Sequence, residues 1–192
     1  MQNALTLRMA AAALAAAIPM AAPTQAQGTG GSARAVQATV VTSTGLNTST
    51  LADTGTLNSA SDARDASQAA GAVDSMVTAQ TLHASAIASE DQVASEASLA
   101  GLAVSIDGTT VNASFVQARA TSGSRGVRTA TVDDLTINGV PTTVTGVPNQ
   151  TIAIPGGTVV INQQSGNVVH ALHIVINGVA DVVIASASAN AQ

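Results

Sequence analysis

Between residues 131 and 187 short runs of β-branched residues alternate with turn residues, and the two signals agree throughout. Leu135-Thr136-Ile137-Asn138-Gly139-Val140 and Ile174-Val175-Ile176-Asn177-Gly178-Val179 are near copies. Asn-Gly between such residues predicts a type I′ hairpin turn, because both central positions need φ > 0. Pro155-Gly156-Gly157 predicts a third reversal, and Pro148-Asn149 and Gly166-Asn167 predict two more. Thr151-Ile152-Ala153-Ile154 alternates, with Ile152 and Ile154 inward, as a half-exposed strand does. Residues 168–176 are apolar on both faces. Strict alternation puts His170, Leu172, Ile174 and Ile176 on one side and Val169, Ala171, His173 and Val175 on the other, which predicts a central strand. Val182-Val183-Ile184 predicts a last strand that fades into alanine and serine.

Upstream, the pattern is weaker because alanine, serine and threonine replace the larger residues. Residues 35–42 read as a first strand with Val36, Val40 and Val41, and 76–88 and 93–106 as long strands of small side chains turning at Glu90-Asp91. Residues 61–72 fit a short helix capped by Ser61 or Asp62, or a mobile loop. Asp107-Gly108 predicts a hairpin into Val111, Ala113 and Phe115, with Phe115 as the largest core anchor. The pattern then shifts to Val116, Ala118 and Ala120, so a bulge is expected near Phe115. Before all this, 1–26 reads as a signal peptide: Arg8, an apolar run over 9–18, and Thr24-Gln25-Ala26 before a cleavage point at Gln27. The expected layout is a signal peptide over 1–26, a flexible spacer over 27–34 and one β domain over 35–189. The expected fold is all-β: a mostly antiparallel sandwich or flattened stack of sheets after an N-terminal signal helix.

The distal motifs also carry a likeness. Pro148-Asn149-Gln150-Thr151-Ile152, Ile154-Pro155-Gly156-Gly157-Thr158-Val159, Asn162-Gln163-Gln164, Val169-His170-Ala171-Leu172-His173-Ile174 and Asp181-Val182-Val183-Ile184-Ala185-Ser186-Ala187 occur in order. In this the chain resembles the choice-of-anchor P family of bacterial exported proteins, with Gln163 where that family usually has Glu and His170 where it often has Asn. The resemblance implies export, a surface or extracellular location and a β-rich domain. It implies no biochemical activity.

Composition narrows the chemistry. The net charge is −5 and all six basic residues are arginine, which argues against a nucleic-acid footprint. Arg119, Arg125 and Arg128 cluster around Gly and Ser and read as a solvated loop. Cysteine is absent, so disulfides, thiolate sites and a lipoprotein anchor are unavailable. With one Phe and no Tyr or Trp, no aromatic stacking platform can be built, and the core must be thin. Threonine pairs such as Thr48/Thr50 and Thr54/Thr56 could order water, but Thr129/Thr131 and Thr143/Thr145 break the constant spacing an ice-binding face needs.

Three histidines are present. On a regular strand His170 and His173 face apart, so a metal site would need His83 with one of them and a carboxylate such as Glu90 or Asp181. Asp133 and Asp134 likewise face apart and read as edge charges. Asp62, Asp65 and Asp74 lack calcium-loop spacing, and no Gly-x-Ser-x-Gly elbow occurs. We therefore assign no catalytic, cofactor-binding or metal-ligating residue and no cofactor. The expectation is a secreted, non-enzymatic structural or surface protein that associates with itself or a cell-surface partner, without nucleic acid. No membrane span is expected in the mature chain, and no sorting motif or apolar helix precedes Gln192, so the protein should be released or held non-covalently. The alternative is an extracellular binding module for a small ligand or metal ion, with an enclosed pocket around His173, Gln163 and Asn162.

Overall fold

A computed structural model describes residues 30–89, 92–123 and 126–190. These form thirteen strands and no helix: β1 (Ser32–Thr42), β2 (Gly45–Asp53), β3 (Ala63–Val73), β4 (Val77–Ser89), β5 (Gln92–Ile106), β6 (Thr109–Thr121), β7 (Arg128–Asp133), β8 (Thr136–Ile137), β9 (Val140–Pro141), β10 (Gln150–Ile154), β11 (Gly157–Ser165), β12 (Val168–Ile176) and β13 (Ala180–Ser188). The expected signal helix over 1–26 and the Glu90-Asp91 turn lie outside the described residues.

Two antiparallel sheets pack face to face. The six-stranded sheet runs β10-β11-β12-β13-β1-β2. The seven-stranded sheet runs β3-β4-β5-β6-β8-β9, with β7 also paired to β6. In the stack β2 lies over β3, β1 over β4 and β5, β13 over β5 and β6, and β12 over β6 and β7. Seventeen of the forty buried apolar residues are alanine and none is aromatic, so the inner faces meet through small side chains. Leu57, Leu82, Leu99, Ile161, Leu172, Ile174 and Ile184 are the largest fully buried side chains.

One feature departs from simple alternation on nearly every long strand. In the six-stranded sheet, Asn162, Ala171, Ala185, Ala35 and Ala52 form a transverse row in which the chain faces the core with two successive residues. Ile161 and Asn162, Ala171 and Leu172, Ile184 and Ala185, and Ala35 and Val36 are all buried. Three of the five have positive φ: Ala52 at 45°, Asn162 at 51° and Ala185 at 50°. The register does not slip across the row: Ile161↔Leu172 and Gln163↔His170 flank it on one pair, Val36↔Ile184 and Arg34↔Ser186 on another. Such a residue rotates the chain about its axis, and the alternation restarts with the opposite phase. The seven-stranded sheet has its own row through Thr81, Gly101, Ser114 and Asp134, with φ of 48°, 56° and 52° at Thr81, Gly101 and Asp134. There β4 and β5 slip in register between Gln80 and His83, as a bulge requires.

The rows explain most differences from the sequence reading. The expected pattern shift near Phe115 is present, with Ala113 and Val116 both buried. Phe115 itself is turned to the outer face beside Asp133, so it is not the core anchor. Residues 61–72 are neither helix nor loop but contribute β3, because pairing along β4 outweighs alanine's weak helix preference. β1 begins at Ser32, ahead of the expected Ala35. Its approach is fixed, since the Gly31 carbonyl accepts from the Leu57 N–H at 2.9 Å. A Cβ at Gly31 would fall 2.5 Å from Val93 Cγ1, so only glycine fits there.

The turns follow their residues with one exception. Asn138 and Gly139 have φ of 52° and 75°, as a type I′ turn requires. In the near copy only Gly178 is positive, at 71°, and the Val179 N–H closes the turn on the Ile176 carbonyl at 3.0 Å.

Thr81 is exposed and β-branched, the residue type least suited to φ of 48°. Thr81→Asn should raise stability by about 1 kcal/mol, since Asn tolerates this region and leaves the core untouched. Urea denaturation of the two proteins tests this, with a higher midpoint expected for the variant.

Candidate functional site

One group of titratable side chains lies on the outer face of the six-stranded sheet. Gln163, His170, Ser186, Arg34 and Asp53 are register partners in one row across five strands. His173 stands opposite Val183 and Asp181 opposite Val175, so the two meet diagonally across β12 and β13. The kink at Ala171 and Leu172 brings His170 and His173 to the same face, contrary to the alternation expected from sequence. Their ring centroids are 6.2 Å apart and the rings meet edge to face, at 64°.

Each histidine has its own partner. His170 Nδ1 lies 3.0 Å from Ser186 Oγ, and His173 Nε2 lies 3.0 Å from Asp181 Oδ1. His173 Nδ1 is buried without a partner among the described residues. Arg34 Nε donates to Asp53 Oδ2 at 2.8 Å. Burial pushes the His170 imidazole down from its ordinary 6.5 to about 4, and the nearby charges of His173 and Arg34 push the same way, against the opposing pull of Asp181. A serine, a carboxylate and imidazoles thus sit on one face, but no single imidazole joins them. Asp181 orients His173 while Ser186 belongs to His170. A nucleophile relay needs one ring bonded to both. Among the described residues no three His, Asp or Glu side chains are placed to hold a metal ion.

The remaining sequence candidates are dispersed. His83 pairs with Asp65 at 2.9 Å and Arg119 with Glu96 at 2.9 Å, both on the outer face of the seven-stranded sheet. Gln117 Nε2 also donates to Glu96, at 2.9 Å. Asp62 accepts from the Asn58 N–H at 2.9 Å and from Arg64 Nε at 3.0 Å, and the Asn58 N–H holds its carboxyl below the usual range. Asp74 sits apart in the β3–β4 turn. Asp134 Oδ2 accepts from Ser114 Oγ at 2.7 Å, while Asp133 stands opposite Phe115. Arg125 and Glu90 lie outside the described residues. Gln163 lies on the outer face with His170 and His173, but Asn162 does not join them. Asn162 faces inward, where its Nδ2 donates to the Gly146 carbonyl at 3.0 Å and its Oδ1 accepts from Gln164 Nε2 at 2.9 Å. Gln164 Nε2 also reaches the Arg128 carbonyl at 3.2 Å, tying β11 to the opposite sheet. The Asn162-Gln163-Gln164 motif therefore satisfies the backbone beside the kink.

No family model, curated protein or solved structure matches the chain. One hollow, of about 710 Å³, opens broadly to solvent between Ser114, Asp133, Asp134 and the segment 141–144. No helix among the described residues is long and apolar enough to cross a membrane. The second surface feature is the pair of edges at β2 and β3, which carry no further strand among the described residues. They lie on the same side of the sandwich, one above the other. β3 is exposed or half-exposed at every residue except Val73, and its only charges are Arg64 and Asp65 at its start. The opposite edge strands are short, five residues in β10 and two in β9.

The burial of His170 sets a pH dependence. The unfolded chain protonates this ring near 6.5, whereas the fold resists until about 4. Between those values the unfolded state binds more protons, so stability is full above about pH 6.5 and declines as pH falls toward 4. The decline attributable to this ring is about 3 kcal/mol. Chemical denaturation across that window should show it, and His170→Asn should flatten the curve.

Proposed function

We infer that this is an exported structural protein of the cell surface or its surrounding matrix, non-enzymatic, which assembles by adding strands across its open β2 and β3 edges. The observation that carries this reading is the stacking of two long free edges, nine and eleven residues, on one side of the sandwich. An edge strand offers a row of unpaired N–H and C=O groups, and proteins that must stay apart blunt it with charge, proline or a short strand. Positions 66–73 of β3 carry no charge and no proline. A second chain docking there would extend both sheets at once. On the outer faces Arg34 pairs with Asp53, His173 with Asp181, His83 with Asp65 and Arg119 with Glu96, and such neutralised faces suit a layer or filament. Export is supported by the signal-peptide pattern over 1–26, and a surface location by the motif likeness to the choice-of-anchor P family.

Light scattering and electron microscopy over a concentration series, on residues 27–192, test the reading. Ordered multimers or filaments that grow with concentration are expected. Placing lysine at two exposed edge positions, Ala70→Lys with Ala72→Lys, should raise the concentration for half-assembly by about tenfold through like-charge opposition, without lowering the melting temperature. A strict monomer at every concentration overturns the proposal.

A further inference from the structure

The chain carries the tetrapeptide Ile-Asn-Gly-Val twice, as Ile137-Asn138-Gly139-Val140 and Ile176-Asn177-Gly178-Val179. Both Asn-Gly pairs lie at exposed hairpin turns. Their carboxamides are held differently. Asn138 Oδ1 accepts from the Thr110 N–H at 2.8 Å, and the Asn138 N–H donates to the Thr110 carbonyl at 2.8 Å, so side chain and backbone are both clamped to β6. The Asn177 N–H donates to the Gly156 carbonyl at 2.9 Å, but its side chain makes no hydrogen bond among the described residues. Its backbone also lacks the positive φ that fixes Asn138 in a type I′ turn.

We propose that Asn177 is a site of spontaneous backbone-assisted deamidation, and that the fold protects Asn138 from the same reaction. The Gly178 backbone nitrogen, unhindered by any Cβ of its own residue, attacks Cγ of the Asn177 carboxamide. The new N–Cγ bond forms as the Cγ–Nδ2 bond breaks, and ammonia leaves carrying the proton from the Gly178 amide. Water then opens the five-membered imide at either carbonyl, giving aspartate or isoaspartate. At Asn138 the same attack first requires Oδ1 to release the Thr110 N–H.

The product alters a junction. Asn177 binds the Gly156 carbonyl of the β10–β11 turn, and the Val179 carbonyl accepts from the Val41 N–H of β1 at 2.9 Å. Either product adds a negative charge there, and isoaspartate also adds a methylene to the main chain. The turn then no longer matches its two neighbours, and an aged protein is looser at this end of the six-stranded sheet.

The test is peptide mapping by mass spectrometry of the folded protein, incubated in mildly alkaline buffer, beside the same protein in concentrated urea. The identical local sequences make each turn the control for the other. Conversion at Asn177 is expected to be about tenfold faster than at Asn138 in the fold, the rate equivalent of the hydrogen bonds that must open. In urea the two rates should be equal, and Gly178→Ala should slow Asn177 in both states. Equal rates in the fold, faster conversion at Asn138, a difference that persists in urea, or no conversion at Asn177 while the unfolded chain converts would each overturn the proposal.

Discussion

Everything in this sandwich depends on residues near φ +50° that sit in line across the sheets. A strand of alternating pattern can present one phase of its side chains to the core. In the six-stranded sheet the long strands present two phases, one on either side of the row, and they stay in register because they change phase together. Ala52, Ala185 and Asn162 accept this conformation on alternate strands of the six-stranded sheet, with Ala35 and Ala171 between them. The conformation costs on the order of 1 kcal/mol at each non-glycine residue. What offsets it is the burial made possible on both sides: Val169 before the row and Leu172, Ile174 and Ile176 after it all reach the core from one strand.

The architecture was legible in the sequence to the extent that turns announce themselves. Asp107-Gly108, Asn138-Gly139, Pro155-Gly156 and Gly166-Asn167 all lie at reversals, and the strands between them follow. The helix-or-loop expectation for 61–72 failed for a different reason. Alanine and serine have too little character to reveal a strand whose identity comes from its partner, and β3 is defined by pairing with β4 over its full length.

The surface was harder to read, and the cause is again the row. His170 and His173 lie three apart, a spacing that separates them on any regular strand. A phase reversal at Ala171, an ordinary alanine with nothing in its own identity to mark it, reunites them. The signal existed only in aggregate: small or αL-tolerant residues recur near the middle of several strands, and the apolar phase changes beside them. The reversal in this row turns Asn162 inward, and the row in the other sheet turns Phe115 outward. Burial of an asparagine is acceptable only because Gly146 and Gln164 bind both ends of its carboxamide.

The first and last strands lie side by side. β1 pairs with β13 from Ser32↔Ser188 to Val40↔Ala180, and the Ser32 and Ser188 hydroxyls meet at 2.9 Å. The six-stranded sheet therefore cannot close until β13 is free to pair with β1. A chain that emerges gradually from its N-terminal end has β1 and β2 in hand but lacks the strand that joins them to β12, so the sandwich stays open until β13 follows. Completion waits for β13, and the slow search implied by such distant pairing comes last.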